Sequence, residues 1–280
     1  MNWIELKNFS RESLAEARKQ LHQAAQLPAI AGRCLNPEDP GDNFAALIWD
    51  KNNNWLTSQM LGEGEIRMAL SISDFKLVII NEKGECTNFF NLNSKTYDEA
   101  FKWLIKQLSQ LGFDSNKLTK NLPYQIPEYP SAKNIPLKHT SPEVFAELQN
   151  YYSNAAFILE NISNKEKDIS KIRCWPHHFD IATLITIENN SDPEKTKTIG
   201  VGLSPGDESY NEPYFYISPW PYPENKNDLP KLDYGHWHKQ GWFGGVLTAS
   251  EITNTKGTLE QLKIVEIFIE AGISIFKKLL

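Results

Sequence analysis

The gaps between the strand-like runs of this chain are too short to hold a crossover helix, and that shortness decides most of what it can fold into. IRMALSI from Ile66 and FKLVIIN from Phe75 are separated only by Ser73 and Asp74, and GLSPGDESYNEPY leads directly into PYFYIS from Pro213. Parallel neighbours need a connection of about a dozen or more residues, so these strands are expected to pair antiparallel. Further runs rich in β-branched and aromatic residues are FAALIWD from Phe44, FDIATLITIE from Phe179 and GVLTAS from Gly245.

Helices are expected where apolar residues recur at helical spacing. Thr96 with Glu99 forms a capping-box pattern, and Tyr97, Phe101, Leu104, Ile105, Leu108 and Leu111 follow it until Gly112 offers a left-handed stop. A second helix has Ser141 as cap and Pro142 at its first position, then Phe145, Leu148, Tyr152, Ala155 and Leu159, with an end near Asn161. A third starts from Thr258 as cap with Gln261 at the box position and runs to the C-terminus. A fourth, rich in Ala and Gln, covers roughly Arg11 to Leu27.

Strands and helices come in two rounds, Phe44 to Leu111 and Cys174 to Leu280, with NFAALIWD resembling HFDIATLI and a helix closing each round. This suggests a weak internal duplication, although a fixed-period repeat is lacking. Asn121 to Pro136, with Pro123, Pro127, Pro130 and Pro136, reads as an extended connector. The expected organisation is therefore an N-terminal α+β half, 1–136, and a C-terminal α+β half, 137–280. The fold class is α+β, with two mainly antiparallel sheets each covered by a helix.

Charge and composition narrow the partners. Lys plus Arg number 29 against 35 for Asp plus Glu, and the net charge of -6 offers no footprint for a phosphate backbone or an anionic bilayer. The most apolar stretch, Leu259 to Leu280, is interrupted by Glu260, Lys263, Glu266 and Glu270 and reads as amphipathic rather than membrane-spanning. The first residues mix acidic and basic side chains and lack the apolar core of an export signal. Cys34, Cys86 and Cys174 are widely spaced and odd in number, which fits free thiols and a cytoplasmic location.

The rarest residues crowd one segment, Trp175 to Gly245. Four of the six histidines (His177, His178, His236, His238) and four of the eight tryptophans (Trp175, Trp220, Trp237, Trp242) lie there. If RCWPHHFDIATLI is extended after Pro176, His178 and Asp180 share a face, and a carboxylate beside an imidazole can fix its tautomer and raise its basicity. That pair is the candidate catalytic group. In GHWHKQGWFGG the same alternation puts His236 and His238 on one face, spaced to chelate. His178, Asp180, His236 and His238 together supply donors for a divalent metal, zinc, manganese or iron. The alternative is that these groups satisfy one another and the backbone by hydrogen bonding.

Trp175, His177, Glu212, Tyr214, Tyr216, Trp220 and Trp242 are the candidate ligand-binding residues, since rigid aromatic walls braced by Pro213, Pro219, Pro221 and Pro223 suit a small-molecule cleft. A core of bulky rings would look the same. Neither LSPGD nor GWFGG has the glycine spacing of a phosphate cradle. Cys174 reads as a small buried hydrophobe rather than a nucleophile, and Ser204 lacks a nucleophile elbow.

CWPHHFD, GVGLSPGDESYNEPYFYISPWPYP and GHWHKQGWFGGVLTASEI resemble the C-terminal half of a family of uncharacterised bacterial proteins with a Trp-Pro-His-His-Phe-Asp stretch followed by Gly-Asp and Glu-Pro-Tyr-Phe-Tyr. The likeness covers roughly residues 174–252 and implies no reaction or cofactor. The functional expectation is a small-ligand-binding or enzymatic site, metal-assisted in one version, within 174–252. Two alternatives stand beside it: a non-catalytic module gripping a partner protein through its aromatic, Pro-rich loops, and a purely structural role for the segment. Nucleic acid and membrane are not expected partners.

Overall fold

Short connections produce antiparallel sheets here, and the chain builds two of them. The structure is a computed structural model that describes residues 2–39, 41–64, 66–225 and 228–280. The chain divides into two compact units. The N-terminal unit comprises Glu12–Gln149 with Arg173–Phe179. The C-terminal unit comprises Asn150–Ile172 and Asp180–Leu280 with the segment ending at Arg11. The Pro-rich stretch Asn121–Pro136 thus lies inside the N-terminal unit.

In the N-terminal unit, α1 (Arg11–Leu35) precedes a five-stranded meander of β1 (Ile48–Asp50), β2 (Trp55–Thr57), β3 (Arg67–Ser71), β4 (Lys76–Ile80) and β5 (Cys86–Asn91), and then α2 (Tyr97–Gln110). The Ser73–Asp74 connection is a tight turn, as its length requires, and Met68, Ala69 and Leu70 face Ile79, Val78 and Leu77, in that order, in a buried ladder. The strands β2 and β5 were not foreseen, because WLT is short and CTNFFN is exposed along most of its length. The Thr96 capping box forms as expected, with Glu99 N–H donating to the Thr96 hydroxyl and the Glu99 carboxylate accepting from Thr96 N–H.

α1 differs from expectation by running past Pro28 to Leu35. An interior proline costs about 3 kcal/mol. Leu21, Leu27 and Ile30 are all fully buried around it, and at about 1.5–3 kcal/mol each their burial outweighs that cost.

α3 (Pro142–Lys165) begins at the expected proline and continues a turn beyond Asn161, where Ile162 is still buried. β6 (Arg173–Trp175) belongs to the N-terminal unit, where Cys174 and Leu47 exchange backbone hydrogen bonds of 2.8 Å. The C-terminal unit carries β7 (Asp180–Glu188), β8 (Lys197–Ser204), β9 (Tyr214–Trp220), β10 (His236–His238) and β11 (Gly244–Thr248), followed by α4 (Ala249–Thr253) and α5 (Thr258–Leu279). Its sheet order is β10-β11-β9-β8-β7, so β11 inserts between β9 and β10. α5 packs on β9 closely enough that a Cβ at Gly272 would stand 2.7 Å from Ile217 Cγ2.

The start of α5 corrects one expectation. Gly257, at φ 100, is the cap and makes no side-chain bond, while Gln261 turns away from the helix end. Its Oε1 accepts from Leu6 N at 2.7 Å, and its Nε2 donates to Leu6 O at 2.9 Å and to Thr255 O at 3.0 Å. A buried amide thus replaces water for both backbone polar groups of Leu6. All three cysteines are free thiols, and among the described residues no helix is long and apolar enough to cross a membrane.

Removing the Gln261 amide leaves the Leu6 peptide buried without partners, at about 1–3 kcal/mol per orphaned group. Gln261→Met should therefore lower the unfolding free energy by about 2–4 kcal/mol, against about 1 kcal/mol for the exposed cap variant Thr96→Ala. Denaturant titration of both variants checks this; equal losses would refute the ranking.

Candidate functional site

The chain cannot stay extended after Trp175, because residues 176–179 close into a turn. Phe179 N–H donates to the Trp175 carbonyl at 2.6 Å, and Phe179 sits at φ 59. The left-handed region costs an ordinary residue about 1–2 kcal/mol. Burial of the Phe179 ring, stacked on His22 at 5.2 Å with 4° between planes, holds it there. The alternation that was to place His178 and Asp180 on one strand face is interrupted by this turn. His178 ends up exposed within it, and Asp180 opens β7 in the C-terminal unit.

What the turn presents to the N-terminal unit is the Pro176 carbonyl. His22, from the middle of α1, meets it through Nε2 at 2.8 Å, and Gln26, one helical turn on, donates to the same oxygen at 2.8 Å. Since a carbonyl can only accept, His22 Nε2 carries the hydrogen, and Nδ1 accepts from the Tyr129 hydroxyl at 2.8 Å. Tyr124 donates to Gln26 Oε1 at 3.0 Å. Burial is the main reason the His22 pKa drops to about 4, so the ring is neutral at physiological pH.

Beside this network is a hollow of about 250 Å³, walled by the rings of Tyr124, Trp175 and His177, by Pro176 and Ala45, and by Asp42. His177 lies 5.5 Å from Tyr124, 6.0 Å from Trp175 and 4.3 Å from His178, centroid to centroid. Burial and then the neighbouring His178 bring its pKa down to about 4, with Asp42 opposing. Neither of its ring nitrogens has a hydrogen-bond partner among the described residues. The Asp42 carboxylate pairs with Arg33 Nε at 2.8 Å and also lines a broader open depression with Glu38, Asp39 and Lys117.

The remaining expected site residues belong to the C-terminal unit. Tyr216 donates to Asp180 Oδ2 at 2.5 Å across the sheet. The ring lies so close to β8 that a Cβ at Gly202 would meet its hydroxyl at 2.7 Å. Tyr214 donates to Asp207 Oδ2 at 2.5 Å, and its own pKa is raised by burial and then by that carboxylate. Trp242 stacks on His238 at 4.4 Å and sits near Tyr214 and Tyr216. His236 and His238 share a strand face, as the alternation predicts, and both reach the Tyr210 hydroxyl at 2.9 Å. Glu212 is an anchor: buried, it pairs with Arg11 Nη2 at 2.8 Å and accepts from Ser250 N and Oγ. Trp220 is exposed at the end of β9, its Nε1 donating to Glu194 O at 3.0 Å.

Among the described residues no group of three or more His, Cys, Asp and Glu side chains is arranged to hold a metal, the set His178, Asp180, His236 and His238 included. Residues that composition did not flag complete the N-terminal cluster: His22, Gln26, Tyr124 and Tyr129. Their one sequence signal is a helix of Ala and Gln with a histidine at its centre, polar groups that such burial must pair.

No family model, no curated protein and no solved structure matches this chain.

His22 and His177 are neutral when folded and basic near pH 6.5 when unfolded. The unfolded chain therefore binds more protons between those values, so stability is full above pH 6.5 and falls as pH drops towards 4. Unfolding titrations across this window should show that slope, shallower in His177→Gln. A stability that stays level from pH 6.5 to 4.5 would contradict one buried and one half-buried neutral imidazole.

Proposed function

We propose that the chain binds a small, planar, uncharged molecule in the hollow between Tyr124, Trp175 and His177. The observation that carries this reading is His177 itself, a neutral imidazole set among aromatic rings, facing open space, with its nitrogens unmatched by the described protein groups. The ring is half-buried, so a ligand entering the hollow can take the place of water on its nitrogens. A neutral imidazole offers one donor and one acceptor, which suits a heteroaromatic carrying both.

A pKa near 4 also argues for binding over proton abstraction. A general base works best with a pKa close to the working pH, and His177 is far below it. The hollow has room for about eight waters at about 30 Å³ each, hence a ligand of about ten non-hydrogen atoms. At about 0.5 kcal/mol per atom, affinity falls between about 1 mM and tens of µM, which sets the screening concentration.

The test is a screen of small heteroaromatic compounds by NMR, observing the His177 ring. A hit should shift that ring and lose at least tenfold in affinity in His177→Ala and in Tyr124→Ala, while His238→Ala leaves it unchanged. If no compound at millimolar concentration moves the His177 resonances, the reading fails.

A further inference from the structure

Tyr210, in the loop after β8, and the two histidines of β10 form a fork of three donor atoms in the C-terminal unit. The Tyr210 hydroxyl oxygen lies 2.9 Å from His236 Nε2 and 2.9 Å from His238 Nδ1. The second nitrogen of His238 settles the hydrogens. Nε2 lies 2.5 Å from the Gln240 carbonyl, which can only accept, so it carries the hydrogen and Nδ1 holds a bare lone pair directed at the phenol oxygen. Tyr210 gives its one hydrogen to His238 and accepts from His236 Nε2–H.

We propose that this fork is a binding site for one divalent transition-metal ion of the copper(II) or nickel(II) type, with His236 Nε2, His238 Nδ1 and Tyr210 Oη as its protein ligands.

Four features support it. A metal-binding histidine almost always has its other N–H held by a carbonyl or carboxylate, and Gln240 O does this for His238. Ring positions are fixed beforehand, since Trp242 stacks on His238 at 4.4 Å and Tyr210 packs on Tyr214 at 4.9 Å. The local field favours a cation: Asp207 receives Ser209 N–H, Tyr210 N–H and the Tyr214 hydroxyl but no cation among the described residues, and Glu251 acts on Tyr210 in the same sense. Donor type then selects the metal. Two imidazole nitrogens and a phenol oxygen are N and O donors, for which copper(II) and, after it, nickel(II) rank high among the first-row divalent ions. The three atoms already meet through hydrogen bonds of 2.9 Å, which open as the ion takes their place. His236 is exposed, which leaves an entry path and positions for water.

The proton balance of binding is definite. His236 moves its hydrogen from Nε2 to Nδ1 by exchange with solvent, which costs no net proton. Tyr210 loses its hydroxyl hydrogen to solvent and binds as phenolate, so one proton is released per ion.

The experiment titrates tag-free, full-length protein with copper(II) chloride in glycine-containing buffer, following heat and visible absorbance. One equivalent should bind, with a phenolate-to-copper charge-transfer band that grows to a 1:1 ratio and one proton released. Tyr210→Phe, which keeps the ring and its packing, should abolish the band and weaken binding at least tenfold, with an unchanged thermal melt. His236→Ala/His238→Ala should remove the saturable equivalent. The proposal is overturned if no saturable equivalent appears, if the band is absent, or if either variant binds copper as the natural chain does.

Discussion

One carbonyl oxygen, that of Pro176, organises the N-terminal unit. It receives two hydrogen bonds, from His22 Nε2 and Gln26 Nε2, and so draws a turn that follows β6 onto the middle of a helix more than a hundred positions earlier. The choice of proline matters. It has no N–H to satisfy, yet its carbonyl keeps two lone pairs, and both are used. The His22 tautomer, the Tyr129 bond and the stacking of Phe179 all follow from that contact. His177 takes its place in the aromatic wall because the turn fixes the residue before it.

The two aromatic clusters of the molecule handle polarity in opposite ways. Around Trp242 each polar tip has a partner: Tyr214 with Asp207, Tyr216 with Asp180, and Tyr210 with two imidazoles. Around Trp175 the His177 ring lies against a hollow without such a partner among the described residues. A closed network rigidifies its surroundings, whereas a half-buried imidazole facing an open, ring-lined space leaves room for an outside group. That contrast, rather than the number of histidines, is what the two binding proposals are drawn from.

Much of the fold was legible in the residues. Turn lengths fixed antiparallel pairing, and Thr96 with Glu99 marked a helix start to the residue. What escaped was decided by distant contacts. Nothing local says that α1 carries on through Pro28, since the compensation is burial of side chains against the rest of its unit. Gln261 looked like a cap partner because its spacing from Thr258 fits, but a peptide at Leu6 competes for the same amide and wins by being buried. For the site, Trp175 and His177 were visible as rare residues at close spacing, and so was the shared face of His236 and His238. The turn at Phe179 was not, because a left-handed phenylalanine has no local signature and is held by a ring on another element. His22 and Tyr210 were single polar residues in unremarked surroundings, and only the fold gives each its partners.

The segment Arg173–Phe179 completes the N-terminal unit from beyond its main stretch, which ends at Gln149. On the ribosome this imposes a wait. Some thirty residues must be added after Gln149 before the Pro176 carbonyl can reach His22, roughly 1.5–6 s at about 5–20 residues per second. Through that interval the His22 ring and the Gln26 amide lack the carbonyl that both share in the finished unit, which is when a chaperone would find it open.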